Sequence, residues 1–387
     1  MKKILATVLA LVMALALCTT SWADGVKPIT AEMTGLDTGS YELTGDVTLT
    51  AGALTVKSGA IVTLDLGTFT LTNKAGEHTI VNNGTLTITG TGTVDNVSHA
   101  RAALFNNEGA TAVLNGGSFT RSQENGKTKE DSGNNSFYTI QNLGTMTINA
   151  GVSVTQNGCF SSMVANGYYN GTGKTNTPTM IINGGTFSGG LNTVKNDDCG
   201  VMTINGGEFK NFAQACVQNH NKLTITNGNF DGSELKAIAD STVSVIYNCG
   251  CGADNDKGML SISGGTFSGG KEETYVICDV STVSEAYTDI SGGTFTKGSA
   301  TMIGKTASAK VAISGGAFKD AAGKAVDVSA YLAAGKQQNS DGSVGNKSYY
   351  YYPSTSDTTT STTTKGSPKT FDAGIAVYVG MALTSAA

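Results

Sequence analysis

Apolar and hydroxylated residues alternate in short runs along most of the chain. In LTIT at residues 86–89 and VMTIN at residues 201–205, Leu, Met and Ile alternate with Thr. Since successive side chains of a strand point to opposite faces, this period of two predicts half-buried β-strands with one apolar face. Few segments have helical spacing, so the pattern predicts an all-β protein.

A fixed spacing between two apolar positions marks the first part of a repeat. Seven copies keep the two positions five residues apart: Leu114/Phe119, Ile182/Phe187, Ile204/Phe209, Ile225/Phe230, Ile262/Phe267, Ile290/Phe295 and Ile313/Phe318. Ile88 and Val94 form a looser copy that is one residue longer. Glycine pairs such as that in TINGGEF separate the two positions. We predict that they turn the chain where positive φ is required and a Cβ would crowd the neighbouring coil.

A second marker, an aliphatic residue two positions before Asn or Asp, follows each copy. The pairs are Ile80/Asn82, Leu104/Asn106, Ile140/Asn142, Val164/Asn166, Val194/Asn196, Val217/Asn219, Ile246/Asn248 and Ile277/Asp279. Asn tolerates corner conformations, and its amide can hydrogen-bond to an Asn stacked beside it. We therefore interpret the Asn column as structural.

The shortest intervals between the Asn markers are 24, 24 and 23 residues, and each unit contains three short β-runs. Such a unit, repeated eight or nine times, is typical of a solenoid in which each strand pairs in parallel with its equivalents about 4.8 Å away. LTITG, TINGG and SGGTF resemble the right-handed parallel β-helix proteins of the pectate-lyase-like type, specifically the glycine-rich surface repeats of bacteria. The resemblance covers roughly residues 41–320 and implies an all-β, right-handed parallel β-helix of about eight to ten coils. These motifs indicate no particular activity.

The ends of the chain predict export and display. Residues 1–23 resemble a signal peptide, because Lys2 and Lys3 precede the apolar run 4–17 and small residues follow at Ser21 and Ala23. Lipid attachment at Cys18 is an alternative, although the residue before it is not small. Residues 24–40 are interpreted as a lead-in, 41–320 as the β-helix and 321–348 as a cap.

The C-terminal segments predict a stalk and a partial anchor. Residues 349–366 form a Ser/Thr-rich linker, and residues 367–387 resemble a sorting signal of Gram-positive surface proteins. The sorting pattern is degenerate, since Ser367 and Phe371 stand where it has Leu and Gly. Its apolar run of 15 residues (373–387) is shorter than the roughly 20 that span a bilayer. A short apolar strand is the alternative. We expect an extracellular protein anchored to the cell envelope, at the cell surface or cell wall.

Composition excludes some partners. The chain has 51 glycines, a formal charge of −5 and two arginines, so there is no basic stripe for phosphates and no nucleic-acid partner is expected. The sequence implies no cofactor, and we expect a monomer.

Asp197, Asp198 and His220 form the candidate catalytic set. Polygalacturonase-like hydrolases on the resembled fold use an Asp pair and a later His, because inverting hydrolysis needs an acid and a base. Asp197 and His220 each follow a column Asn, so we expect them one coil apart. His220 lacks flanking glycines, and no Arg-x-Lys element follows it. A solvated acidic turn is the alternative.

Six cysteines remain after residue 23, an even number that permits disulfides in an exported protein. Cys199 and Cys251 occupy the same position two coils apart, about 9.6 Å by strand spacing, which exceeds the limit of about 7 Å for a disulfide. Cys199, His220, Cys249 and Cys251 all fall on one edge and could bind zinc or another thiophilic metal. Unpaired or partly paired thiols are the alternative.

Tyr168 and Tyr169 are the candidate ligand-binding residues, because tyrosines in a Gly/Asn-rich loop can stack on sugar rings. The alternative is that both cover the side of the solenoid. Together these features predict a cell-surface structural or adhesive β-solenoid that contacts glycans or a host matrix. The alternative function is a polysaccharide hydrolase or lyase acting in a groove built by the loops.

Overall fold

Three long parallel sheets run through the part of the chain that the computed structural model describes, residues 25–126, 137–237, 241–252 and 255–348. One strand from each sheet makes one coil. The predicted signal segment 1–23, linker 349–366 and sorting-like segment 367–387 lie outside the described residues.

We name the sheets by the columns they carry. The Ile sheet has 12 strands within the described residues: Lys27–Pro28, Gly39–Glu42, Ile61–Asp65, Thr85–Thr89, Thr111–Leu114, Thr145–Ile148, Thr179–Ile182, Val201–Ile204, Lys222–Ile225, Met259–Ile262, Tyr287–Ile290 and Val311–Ile313. The Phe sheet has 11 in the same ranges: Val47–Leu49, Thr70–Asn73, Thr93–Asn96, Gly117–Thr120, Val152–Gln156, Thr186–Gly189, Glu208–Lys210, Asn229–Asp231, Thr266–Ser268, Thr294–Thr296 and Ala317–Lys319.

The Asn sheet also has 11 described strands: Gly35–Leu36, Leu54–Val56, Ile80–Asn82, Leu104–Asn106, Ile140–Asn142, Val164–Asn166, Asn192–Asn196, Ala215–Asn219, Ser244–Asn248, Tyr275–Asp279 and Thr301–Lys305. Equivalent residues stack in register, as Ile182 does on Ile204 and Asn196 on Asn219. The predicted all-β, right-handed parallel β-helix is confirmed.

The sheets contain coils that the repeat count misses. In the coil before the first recognised copy, Leu64 pairs with Ile88 and Val56 pairs with Asn82. The pairing starts at Lys27, within the segment assigned to the lead-in. These first coils keep the apolar alternation but lack the Phe and Asn markers, so their spacing is hard to recognise.

The centre of the solenoid holds a continuous stack of phenylalanine rings. Adjacent rings have centroids 4.6 to 4.9 Å apart and lie within 3° to 7° of parallel, in the order Phe187, Phe209, Phe230, Phe267, Phe295 and Phe318. Each ring is at most 1% exposed. The ring spacing equals the strand spacing, and each buried ring contributes roughly 1.5–3 kcal/mol by transfer from water.

The glycine pairs turn the chain between the Ile and Phe sheets, as predicted. At Gly264 an added Cβ would lie 2.2 Å from the carbonyl oxygen of Thr226 in the preceding coil. Gly265 has a φ of +103°, which L side chains rarely adopt. The first glycine is therefore required by close packing and the second by conformation.

The Asn column forms the predicted ladder of amide hydrogen bonds. Each Nδ2 donates to the side-chain oxygen of the next coil, with distances of 2.6 to 3.1 Å from Asn82 to Asp279. The ladder therefore has a direction, and Asp279, which only accepts hydrogen bonds when ionised, ends it. Asp279 Oδ2 also accepts from Thr288 Oγ1 at 2.7 Å.

A second row of asparagines lies outside the Ile–Phe corner and was not predicted. Asn149 donates to Asn115 at 2.8 Å, Asn183 to Asn149 at 2.9 Å and Asn205 to Asn183 at 3.0 Å. These amides donate toward the N-terminus, opposite to the direction of the buried ladder.

The last coil is covered by the segment predicted to be a cap. A 3₁₀ turn spans Ser329–Tyr331, and Asp327 Oδ1 accepts from the Ser329 amide at 2.8 Å. An antiparallel pair, Lys336–Gln338 with Val344–Asn346, follows, and Val344 N donates to Gly316 O at 2.8 Å. These contacts occupy the edge of the last coil. In the described ranges, no helix has the length and apolar character needed to cross a membrane.

Candidate functional site

The candidate residues lie on one edge of the solenoid, where strands of the Asn sheet end and loops lead into the Ile sheet. Gly167, Asp197, His220 and Cys249 each directly follow a ladder Asn, in four consecutive coils. We call the loops 167–178, 197–200, 220–221 and 249–258 the loop edge, of which residues 253–254 are not described. The ladder thus places these loops side by side.

Asp197 is held by partners on both carboxylate oxygens. Lys195 Nζ lies 2.8 Å from Oδ1, and the Tyr138 hydroxyl donates to Oδ2 at 3.1 Å. The residue is 1% exposed. Burial, followed by the charge of Asp197, raises the pKa of Tyr138. Asp197 therefore serves as a buried ion-pair partner in this structure.

Asp198 joins the loop 197–200 to the loop 167–178, which carries Tyr168 and Tyr169 and which we call the tyrosine loop. Its main chain pairs with Tyr168 through N–H···O bonds of 3.0 and 3.1 Å, and its Oδ2 accepts from the Gly171 amide at 2.9 Å. Burial raises the pKa of the carboxyl, and the nearby Asp256 acts in the same direction.

His220 lies between two carboxylates. Its Nδ1 is 3.9 Å from Asp198 Oδ1 and 3.6 Å from Asp256 Oδ1. Both distances are too long for hydrogen bonds. The structure therefore brings together two of the three predicted catalytic residues and adds Asp256, whose Oδ2 accepts from the Cys251 amide at 3.0 Å. Asp256 was not predicted from the sequence, because it has no fixed offset from a ladder Asn.

The predicted thiophilic set is only partly brought together. The ligand atoms of Asp198, His220 and Asp256 all lie within 4.8 Å of one another, the one such group of His, Cys, Asp or Glu among the described residues. Cys199 Sγ instead lies 4.0 Å from Gly171 O. A zinc site made of the cysteines stays a prediction.

Cys249 and Cys251 are free cysteines that interact with each other. Cys249 is buried and Cys251 is exposed. The hydrogen bond between the two side chains lowers the pKa of Cys251 to about 7 and raises that of Cys249. Cys251 is therefore the more readily ionised thiol of the pair.

The two candidate tyrosines differ in accessibility. Tyr168 is 6% exposed, its hydroxyl donates to Glu108 Oε1 at 2.5 Å, and Lys174 Nζ lies 4.7 Å from its ring centre. Burial raises the pKa of Tyr168 to about 12. Tyr169 is 81% exposed, with Lys195 Nζ 5.5 Å from its ring centre. Tyr169 can stack on a ligand, whereas Tyr168 packs within the loop.

Comparisons with known proteins add no relative. The chain matches no protein-family model, and neither the curated proteins nor the solved structures gave a match.

Proposed function

We propose that this protein is an adhesive β-solenoid, displayed on the surface of a Gram-positive bacterium, that binds an extracellular glycan or host matrix component through its loop edge. The observation that carries the proposal is the exposure of Tyr169. Its aromatic side chain is 81% exposed, and the loop that carries it is held by hydrogen bonds at Tyr168 and Gly171. Exposed aromatic rings give large contact areas at low conformational-entropy cost, and sugars present apolar C–H faces to them.

The surroundings of Tyr169 support binding by a preorganised loop. On one side of Tyr169, the main chain of Tyr168 pairs with that of Asp198. On the other side, the Gly171 amide donates to the Asp198 carboxylate. Lys195 approaches its ring and is itself paired with Asp197. A loop that is already ordered loses little entropy when a ligand binds. Display on the envelope rests on the signal-like, linker and sorting-like segments and on the pectate-lyase-like motifs.

Polysaccharide cleavage is the second candidate. The raised pKa of the Asp198 carboxyl beside His220 favours it, because a general acid needs such a pKa. The hydrogen bond from Tyr138 and the ion pair with Lys195 count against it, since both oxygens of the Asp197 carboxylate are engaged and that carboxylate would have to act as base or support one.

Glycan-array binding of the full chain and of Tyr169 variants tests the proposal. We expect Tyr169→Ala to weaken binding about tenfold or more, corresponding to roughly 1.4 kcal/mol, and Tyr169→Phe to retain it. Phe212→Ala is a matched control, because Phe212 is 41% exposed at the corner between the Phe and Asn sheets. Equal binding by wild type and Tyr169→Ala would contradict the assigned site.

Turnover on a polysaccharide panel separates the second candidate. If the wild type releases reducing ends or unsaturated products and Asp198→Asn does not, the function of the loop edge is catalytic rather than adhesive. Fractionation of native cells tests display, and a protein found only in the cytoplasm would contradict it.

A further inference from the structure

Asp198, His220 and Asp256 converge from three separate segments of the loop edge. Asp198 follows the strand Asn192–Asn196, His220 follows Ala215–Asn219, and Asp256 lies in the loop after Ser244–Asn248. Their ligand atoms fall within 4.8 Å of one another, although the three residues lie 22 and 36 positions apart in the chain.

The cluster contains buried polar atoms without hydrogen-bond partners. Asp256 is 5% exposed and its Oδ1, which faces His220, has no partner among the described residues. Both ring nitrogens of His220 are also buried and have no hydrogen-bond partner in the described part of the chain. Leaving a buried polar atom without a partner is energetically costly, so several of them around one point indicate a missing ligand.

The charges indicate a cation. Within the described residues, the ion-pair partner of both Asp198 and Asp256 is the same imidazole of His220. Lys195, the nearby cation on the same coil as Asp198, is paired with Asp197 instead. Two buried carboxylates that face one imidazole lack the opposite charge that buried carboxylates need, and a cation at this point would supply it.

We propose that Asp198, His220 and Asp256 form a binding site for a divalent transition metal of the zinc type. One imidazole nitrogen and two carboxylate oxygens suit zinc and its first-row neighbours better than calcium or magnesium, which prefer all-oxygen sites. Two ligands of a tetrahedral ion at about 2.1 Å are separated by about 3.4 Å. The observed separations of 3.6 and 3.9 Å from His220 Nδ1 are close to this value.

Three protein ligands leave a coordination position for water or another ligand, as in open zinc sites. Bound metal would join the tyrosine loop, through Asp198, to the loop of Asp256. The site requires no contribution from Cys199, Cys249 or Cys251, which distinguishes it from the thiophilic set.

Metal titration of the full chain tests the site. The chain is stripped with chelator, kept reduced and titrated with Zn²⁺ by calorimetry, and bound zinc is counted by elemental analysis. We expect one zinc per chain and a higher melting temperature with zinc. His220→Gln and Asp256→Asn should each weaken binding by ~100-fold or more, because even residues that only support metal ligands change affinity by 10- to 100-fold.

Matched variants distinguish this site from adventitious binding and from a thiolate site. His99→Gln and Asp289→Asn change exposed residues elsewhere on the solenoid and should leave zinc affinity unchanged. Cys251→Ser should also leave it unchanged, and a cobalt-loaded chain should show no sulfur-to-cobalt charge-transfer band. Stoichiometry near zero, or zinc binding that survives Asp256→Asn but is lost in Cys251→Ser, would overturn the proposal. Circular dichroism of each variant confirms that the coils remain folded.

Discussion

The phenylalanine stack yields a graded prediction, because its members differ in how many rings they contact. Phe209 stacks on Phe187 at 4.9 Å and on Phe230 at 4.7 Å. Phe187 pairs with Phe209 on one side and with Val154 on the other. Phe119 pairs with Val94 and Val154. All three are at most 1% exposed, so they differ mainly in ring–ring contact.

Replacement of each phenylalanine by Ala should destabilise the protein, and the loss should rise from Phe119 through Phe187 to Phe209. Loss of transfer free energy and the cavity left behind cost about 3–5 kcal/mol for any of the three. Each lost ring pair adds about 0.5–1.5 kcal/mol, so Phe209→Ala should exceed Phe119→Ala by roughly 1–3 kcal/mol, with Phe187→Ala between them. Phe209→Leu should cost less than Phe209→Ala because it keeps most of the volume.

Guanidinium unfolding followed by far-ultraviolet circular dichroism measures these differences. The slope of the free energy with denaturant should stay constant across the series, so that the midpoints report stability. Equal midpoints for the three Ala variants would refute a contribution from stacking. Melting of Phe209→Ala like the wild type would refute the buried column itself.

Two further predictions concern the turns and the pH dependence of stability. Gly264→Ala places a Cβ 2.2 Å from a carbonyl oxygen and should lower the melting temperature, whereas Gly45→Ala, where no described atom lies within 4 Å of the added Cβ, should not. Burial, with the charges of Arg101 and Arg121, lowers the pKa of His78 to about 4, and its Nδ1 accepts from the Ala102 amide at 2.8 Å. The folded pKa of His78 lies below its unfolded value of 6.5. The stability that neutral His78 contributes is therefore fully present above pH 6.5 and is lost as the pH drops toward 4. Denaturant midpoints from pH 7 to 4 should show this fall in wild type and His99→Gln and a smaller fall in His78→Gln; an unchanged fall in His78→Gln would contradict the assignment.

The fold could be predicted because residues that stack in successive coils recur in the sequence with a fixed spacing. Ile182, Phe187 and Asn196 each lie on a like residue one coil away, so the markers alone indicate the register. The markers do not extend to the first coils, because Leu64 and Val56 fill the same columns without the distinctive residue types, and the strand at Lys27 was therefore assigned to the lead-in.

The site was less predictable, because it depends on loops whose lengths vary. The positions of Asp198 and His220 followed from their offsets to the ladder, but Asp256 reaches them from a loop whose path has no repeat. Exposure also separated residues that are adjacent in sequence, since Tyr168 points into its loop and Tyr169 points outward. No periodicity encodes that difference.

The direction of the buried Asn ladder has a consequence for how such a protein can change length during evolution. A coil that carries Asn accepts from one neighbour and donates to the other, so it can be duplicated or deleted inside the array without interrupting the chain of donors. A coil that carries Asp cannot pass a hydrogen bond onward. In the coil after Asp279 the position is taken by Lys305, whose Nζ donates to the carbonyls of Thr306 and Ala309 within its own turn. Gain and loss of coils are therefore expected upstream of Asp279, while the terminal coils keep their identity.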